Sequence, residues 1–308
     1  MSMNRRKFIK QGTVTSAASL LTGQGISALT GLSGQAVEPF QLKYAPHLGM
    51  FKHHAGDDPV AQLEFMADQG FSAFEDNGMK DREVSMQEKM AMTMQRRNLQ
   101  MGVFVAHKIY WNEPNLTNGD ADKRTEFLQH IRESVEVAKR VNATWMTVVP
   151  GHVELRLEMG FQTAHVVESL KQAAAILEPH GLVMVLEMLN FRDHPGQFLK
   201  KAAQAYEICK AVDSPSCKML FDIYHQQITE GNLIPNMELA WEEIGYFQIG
   251  DNPGRKEPTT GEINYRNVFK YIHSRGWQGI LGMEHGNSQS GPEGEMAVIK
   301  AYRESDRF

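Results

Sequence analysis

From residue 41 onward the chain alternates short apolar runs with longer stretches whose apolar positions recur at helical spacing, and the alternation repeats about every thirty residues. The runs QLKYAP (41–46), FSAFE (71–75), MGVFVAH (101–107), TWMTVVP (144–150), LVMVLE (182–187), KMLFD (218–222), YFQIGD (246–251) and GILGME (279–284) read as strands. Between them PVAQLEFMADQG, KRTEFLQHIRESVEVAKRV and HVVESLKQAAAILEPHG read as amphipathic helices, the first and last ending on a glycine suited to a helix C-cap. Eight βα repeats in about 250 residues match a single (β/α)8 barrel. The competing open, doubly wound sheet usually carries a glycine-rich phosphate turn after its first strand. Residues 46–59, PHLGMFKHHAGDDP, contain no G-x-G-x-x-G.

The N-terminal stretch departs from this pattern. Arg5 and Arg6 stand side by side, followed by Phe8, Lys10 and a weakly apolar Gly/Ser/Thr/Ala segment, with Gly34-Gln35-Ala36 offering a small-residue cleavage site before Val37. This resembles a cleavable twin-arginine signal peptide over residues 1–36, a receptor-read address that is too polar for a membrane span and leaves no stable anchor. The expected mature chain, residues 37–308, is then one periplasmic domain handled by the twin-arginine translocation machinery. The leader holds four basic and no acidic residues, so its removal takes the formal charge from −5 to −9, which argues against nucleic acid as a partner. Two cysteines, Cys209 and Cys217, are too few for a disulfide framework and read as buried thiols.

The strand ends carry the chemistry. Glu75, Glu187, Asp222 and Glu284 close the second, fifth, sixth and eighth strands, and Gln248 lies in the seventh. In a barrel those ends share one face, where active sites are built. Four consecutive strands each offer an oxygen donor, and three carboxylates packed together repel one another unless a positive group sits among them. Glu187, Asp222 and Glu284 with the amide oxygen of Gln248 form an all-oxygen set suited to one divalent ion, Mg²⁺ or Mn²⁺, with a glutamate free to exchange a proton.

LEMLNFRDHPGQFL (186–199), LFDIYHQQITEGNL (220–233), FQIGDNPGRKEPTTGEINY (247–265) and GMEHG (282–286) together resemble the hydroxypyruvate isomerase family of xylose isomerase-like barrels. The resemblance implies Glu187, Asp222, Gln248 and Glu284 as metal ligands, Glu187 and Glu284 as the acid/base pair, and His225 and Arg255 as substrate contacts. Glu262, in TTGEIN, reads as a helix-start carboxylate ahead of the other reading, a support for the metal loop from behind, and His47 and His107 stand near strand ends at the rim. The family commonly continues with a Tyr-Lys-Pro segment where this chain has His285 and Gly286, which is expected to alter the substrate side of the pocket. The implied activity is a metal-dependent interconversion of an α-hydroxy aldehyde and an α-hydroxy ketone, hydroxypyruvate and tartronate semialdehyde in the family, through a metal-stabilised cis-enediolate, with a hydride shift between the two carbons as the other route. Ketose epimerisation or isomerisation and keto-sugar dehydration would use the same site on a hydroxy-carbonyl or sugar substrate. A periplasmic sugar-binding protein is the non-enzymatic alternative, and a homo-oligomer is compatible with all of these. Replacing Arg5 and Arg6 by lysine is expected to leave the protein in the cytoplasm on cell fractionation, and unchanged export would remove the twin-arginine reading.

Overall fold

The structure, a computed structural model, describes residues 38–308, so the expected leader lies outside the described residues. Eight strands follow in order: β1 (Lys43–Ala45), β2 (Ala73–Phe74), β3 (Gln100–Met101), β4 (Trp145–Val148), β5 (Val183–Glu187), β6 (Cys217–Asp222), β7 (Ile244–Gln248) and β8 (Ile280–Gly282). Six of them form a parallel sheet in the order β1-β8-β7-β6-β5-β4, and β2 pairs in parallel with β3. Single parallel bridges, His47 to Glu75 and Val105 to Thr147, join the two sheets at either side. The result is the TIM-barrel-like α/β fold that the repeat predicts, with β2 and β3 much shorter than their apolar runs. Gly102 marks where β3 stops: a Cβ there would collide with the Tyr246 hydroxyl, which occupies that space.

The helices obey local rules. Asp58 caps α2 (Pro59–Asp68), accepting from the Val60 N–H with Pro59 in the first turn. Asp120 accepts from Asp122 N and Lys123 N at the start of α4 (Ala121–Val141), which ends on Asn142 in the left-handed conformation, φ 53°. α9 (Tyr265–Ser274) buries Tyr265, Val268, Phe269 and Ile272, a spacing of i, i+3, i+4, i+7 that lays one face on the sheet. Cys209, in α6 (Ala202–Val212), and Cys217 are buried free thiols.

Pleat parity sets up the site. Ala45, Ala73, Val103, Val185, Leu220, Tyr246 and Ile280 pack together as a cluster separate from the larger core that includes the helices. Since a strand returns to the same face every second residue, the positions two further on are His47, Glu75, Val105, Glu187, Asp222, Gln248 and Gly282. One pleat above an apolar plug, the barrel interior therefore becomes a ring dominated by polar side chains.

A buried histidine reinforces the weak seam between β3 and β4. His107 Nε2 accepts from Val149 N at 3.2 Å, while Nδ1 donates to the Lys108 carbonyl at 2.8 Å, so both ring nitrogens are committed and the imidazole must stay neutral. Burial lowers its pKa from 6.5 to about 4. As pH falls below 6.5 the unfolded chain takes up a proton that the folded one refuses, so stability is lost between pH 6.5 and about 4, on the order of 3 kcal/mol at full titration. His107→Gln is expected to flatten this part of the pH dependence in denaturant melts recorded from pH 7 to 4.5. Equal slopes in the two proteins would show that His107 is not its source.

Candidate active site

Glu187, Asp222 and Gln248 are the last residues of β5, β6 and β7, with Asp222 opposite Gln248 in register, and Glu284 lies two residues past β8. β6 runs directly into α7 (Ile223–Thr229), so Asp222 also serves as its N-cap: Oδ1 accepts from His225 N at 3.1 Å and Oδ2 is left for the barrel mouth. That cap brings His225 into the site, its Nε2 3.6 Å from Asp222 Oδ2 and 3.7 Å from Glu187 Oε1. Arg255 arrives from the β7–α9 loop in a left-handed conformation, φ 51°, that a non-glycine residue adopts only when its surroundings hold it there. Its Nη2 lies 2.8 Å from Glu284 Oε2 and 3.2 Å from Asp222 Oδ2, and its Nε donates to the Glu284 carbonyl at 3.1 Å. Asn77 Nδ2 donates to the other Glu284 oxygen at 3.0 Å.

The six residues expected to hold a metal or touch substrate thus gather at one mouth, and Arg255 makes contacts there that the sequence did not announce. It bridges Asp222 and Glu284, and so supplies part of the positive charge that the carboxylates require. Burial works against the charged guanidinium, yet Glu284, Asp222 and Glu187 more than offset that and hold it firmly protonated. One guanidinium does not balance Glu75, Glu187, Asp222 and Glu284 together. Burial and then the neighbouring Glu284 and Asp222 charges push Glu187 well above the usual carboxylate range. Burial is also the main cause that raises Glu284 to about 7 and Glu75 to about 8.

The hydrogen-bond network fixes the chemistry of His225. Asn190 Oδ1 accepts from Arg192 N and Asp193 N, so its amide nitrogen is the group that meets His225 Nδ1, at 2.7 Å, alongside the Asn190 backbone N–H at 3.2 Å. Nδ1 is therefore an acceptor and the proton sits on Nε2, facing the carboxylates. Burial lowers the pKa of the ring to about 4, which keeps it neutral. Arg255 Nη2, 3.3 Å from Nε2, then makes a contact between two proton-bearing nitrogens. Glu187, Asp222 and His225 do form a buried cluster of metal-ligating type, with one atom from each within 4.8 Å of the others. In this tautomer His225 enters it as a hydrogen-bond donor. The fourth oxygen comes from Gln248: its Nε2 donates to Glu75 Oε1 at 2.8 Å, and its buried Oε1 has no hydrogen-bond partner among the described residues. A buried carbonyl oxygen with nothing to accept, beside carboxylates with unusually high proton affinity, fits a divalent cation.

Other expectations change. Glu262 does not start a helix, since Asn264 caps α9; Glu262 instead accepts from Asn252 Nδ2 and Gln227 Nε2, tying the Arg255 loop to α7. His47 pins β1 to the loop after β8, with Nε2 3.0 Å from the His285 carbonyl. His285 lies behind the strand, buried against Tyr302 of α10 (Gly291–Ser305) with Nε2 2.8 Å from its hydroxyl, so its part of that difference falls on the core side, while the Gly286 N–H donates to the Arg255 carbonyl at 3.1 Å. Asn190, Asn77 and Tyr246 were not foreseen. Only Tyr246 had a signal in the sequence, its inward parity two residues before Gln248.

Comparison with known proteins agrees with this fold. A sequence model of the family described as xylose isomerase-like TIM barrel matches residues 63–304. A putative hydroxypyruvate isomerase of Danio rerio is 34% identical over 56% of this chain and 65% of its own length. The hydroxypyruvate isomerase of Escherichia coli K12 is 31% identical over 59% of this chain and 70% of its own. The 2-oxo-tetronate isomerase of Cupriavidus necator is 29% identical over 58% and 69%. The matches thus span about two thirds of these relatives' lengths. Among solved structures, a Brucella melitensis protein described as AP endonuclease, family 2, superposes with a TM-score of 0.74 over 85% of this chain and 99% of its own at 24% identity, which shows a shared fold.

Proposed function

Because the chain belongs to the xylose isomerase-like TIM-barrel family, we propose that it is an isomerase of hydroxypyruvate isomerase type, interconverting an α-hydroxy aldehyde and an α-hydroxy ketone. The observation that carries this reading is the placement of Glu187 and Glu284 on different strands around Asp222 and Gln248, both with raised proton affinity. The relatives' names point to small hydroxy-keto acids, while the same groups would serve a ketose. Glu187, Asp222, Glu284 and the Gln248 carbonyl oxygen would hold one divalent ion, Mg²⁺ or Mn²⁺ by donor type. Bound there, the ion supplies Lewis-acid polarisation of a substrate carbonyl.

The chain's own groups supply the proton path. One glutamate takes the proton from the carbon beside the carbonyl and the pair returns it to the neighbouring carbon, while the hydroxyl proton passes to the oxygen that was the carbonyl, as carboxylates of raised proton affinity do efficiently. His225 Nε2–H donates to a substrate oxygen, its tautomer held by Asn190. Arg255 offers a permanently charged donor beside Glu284, suited to a substrate carboxylate or hydroxyl. Export through the twin-arginine route remains part of the proposal and rests on Arg5 and Arg6 with the segment that follows them.

The test is proton NMR in D₂O with Mg²⁺ or Mn²⁺ and a panel running from hydroxypyruvate and 2-oxo-tetronate to ketoses and keto-sugars. Deuterium is expected beside one carbonyl of the true substrate. Glu284→Gln should slow the exchange by about 10²–10⁴-fold, and a chelator should abolish it. Isomerisation without exchange would indicate a hydride shift between the two carbons, and saturable binding of one compound with neither exchange nor turnover would replace the isomerase by a binding protein.

A further inference from the structure

The mouth contains one carboxylate that the proposed reaction does not use. Glu75, at the end of the β2 segment, is 2% exposed and reaches across the barrel to β7. Its Oε2 accepts from the Tyr246 hydroxyl and its Oε1 from Gln248 Nε2, both at 2.8 Å. The path is cleared by two glycines. A Cβ at Gly282, the inward position of β8, would overlap the Glu75 carboxylate, and one at Gly102 would overlap the Tyr246 hydroxyl. A bare barrel interior would favour filling such positions with branched apolar side chains. Here space is kept open so that a buried carboxylate can touch an amide three strands away around the ring.

We propose that Glu75 is a positioning residue that fixes which end of the Gln248 amide faces the cation site. The two ends of a glutamine side chain are nearly the same size, so packing alone does not choose between them. In its charged form the Glu75 carboxyl only accepts, and in its neutral form the proton has the Tyr246 hydroxyl oxygen to face, so in both forms Oε1 is left to accept from the amide nitrogen and turns the amide oxygen away. That oxygen is the buried, unpartnered Oε1, on the strand next to Asp222. Without the acceptor, half of the amide's orientations would present an N–H pair to a cation. Tyr246 holds the second Glu75 oxygen and keeps the carboxylate from rotating. The network orients a ligand from behind, as partners of metal-binding side chains do elsewhere. This inference rests on the reading that a divalent ion binds among Glu187, Asp222, Glu284 and Gln248.

The experiment is Mn²⁺ titration of the whole protein by calorimetry, with metal-free melting temperatures alongside. Glu75→Met removes the acceptor at similar volume and is expected to weaken Mn²⁺ binding by about 10–100-fold. Glu75→Gln can still accept from Gln248 through its own oxygen while its nitrogen faces the Tyr246 oxygen, and should bind within about threefold of wild type. If Glu75 acted only through its charge, both variants would weaken equally, and the proposal would be overturned. In the Gln248→Met background, Glu75→Met should have little further effect, because the group it orients is gone; full additivity would overturn the proposal as well. Should Glu75→Met fail to fold, Gly282→Ala displaces the carboxylate while leaving its charge in place, and wild-type affinity in that variant would be fatal. No Mn²⁺ binding by the wild type would remove the metal reading and this one together, whereas tight binding by both wild type and Glu75→Met would remove only this one.

Discussion

Four carboxylates held largely out of water in one barrel mouth are the constraint around which the rest is arranged. In a low-dielectric interior, like charges a few ångströms apart cost far more than in water, and each group answers by binding its proton more tightly or by finding a cation. Glu75, Glu187 and Glu284 do the first, with pKa values displaced upward. Arg255 provides the second in part, bridging Asp222 and Glu284 at the cost of a left-handed backbone. The remaining imbalance is what the proposed divalent ion would relieve, and it leaves glutamates with the raised proton affinity that the proposed proton transfer needs.

The neutral members of the site are governed by the same field. Asn190 assigns the proton of His225 by presenting two donors to Nδ1, and Glu75 assigns the orientation of Gln248 by presenting an acceptor to Nε2. Each ambiguous side chain is thus given a direction by a partner facing away from the mouth. The fold can afford these partners because the barrel interior alternates by pleat. Tyr246 belongs to the apolar layer by its ring and reaches the polar layer by its hydroxyl, and Gly102 and Gly282 leave room for the contacts. Acceptors and donors placed behind the reactive groups keep the geometry in place before any substrate arrives.

Much of this was legible in the chain. Strand-and-helix periodicity carries the barrel, because buried strands and amphipathic helices must each show their period to bury an apolar face. Acids at the ends of apolar runs mark the mouth, since a carboxylate closing a buried strand is otherwise expensive; hence Glu187, Asp222 and Glu284 stood out, with Gln248 one strand away. The short pairing of β2 and β3 was not legible, because their apolar runs are as long as those of full strands. The side on which His285 lies was equally invisible: it follows Glu284 in sequence, but the next side chain along an extended segment points the other way, into Tyr302.

The sequence by itself determined the repeat, the apolar layer, and which acids and amide end up at the C-terminal face, because those follow from local periodicity alone. Only the tertiary structure decided the proton on His225, the bridge made by Arg255 and the contact from Glu75 to Gln248. Each of these joins residues separated by 29 to 173 positions. Their partners lie on different strands, and closure of the ring is what sets the distances between them. A chain read one window at a time records which groups it carries to the mouth; which atom of each group faces which neighbour is settled by the hydrogen bonds that form once they are there.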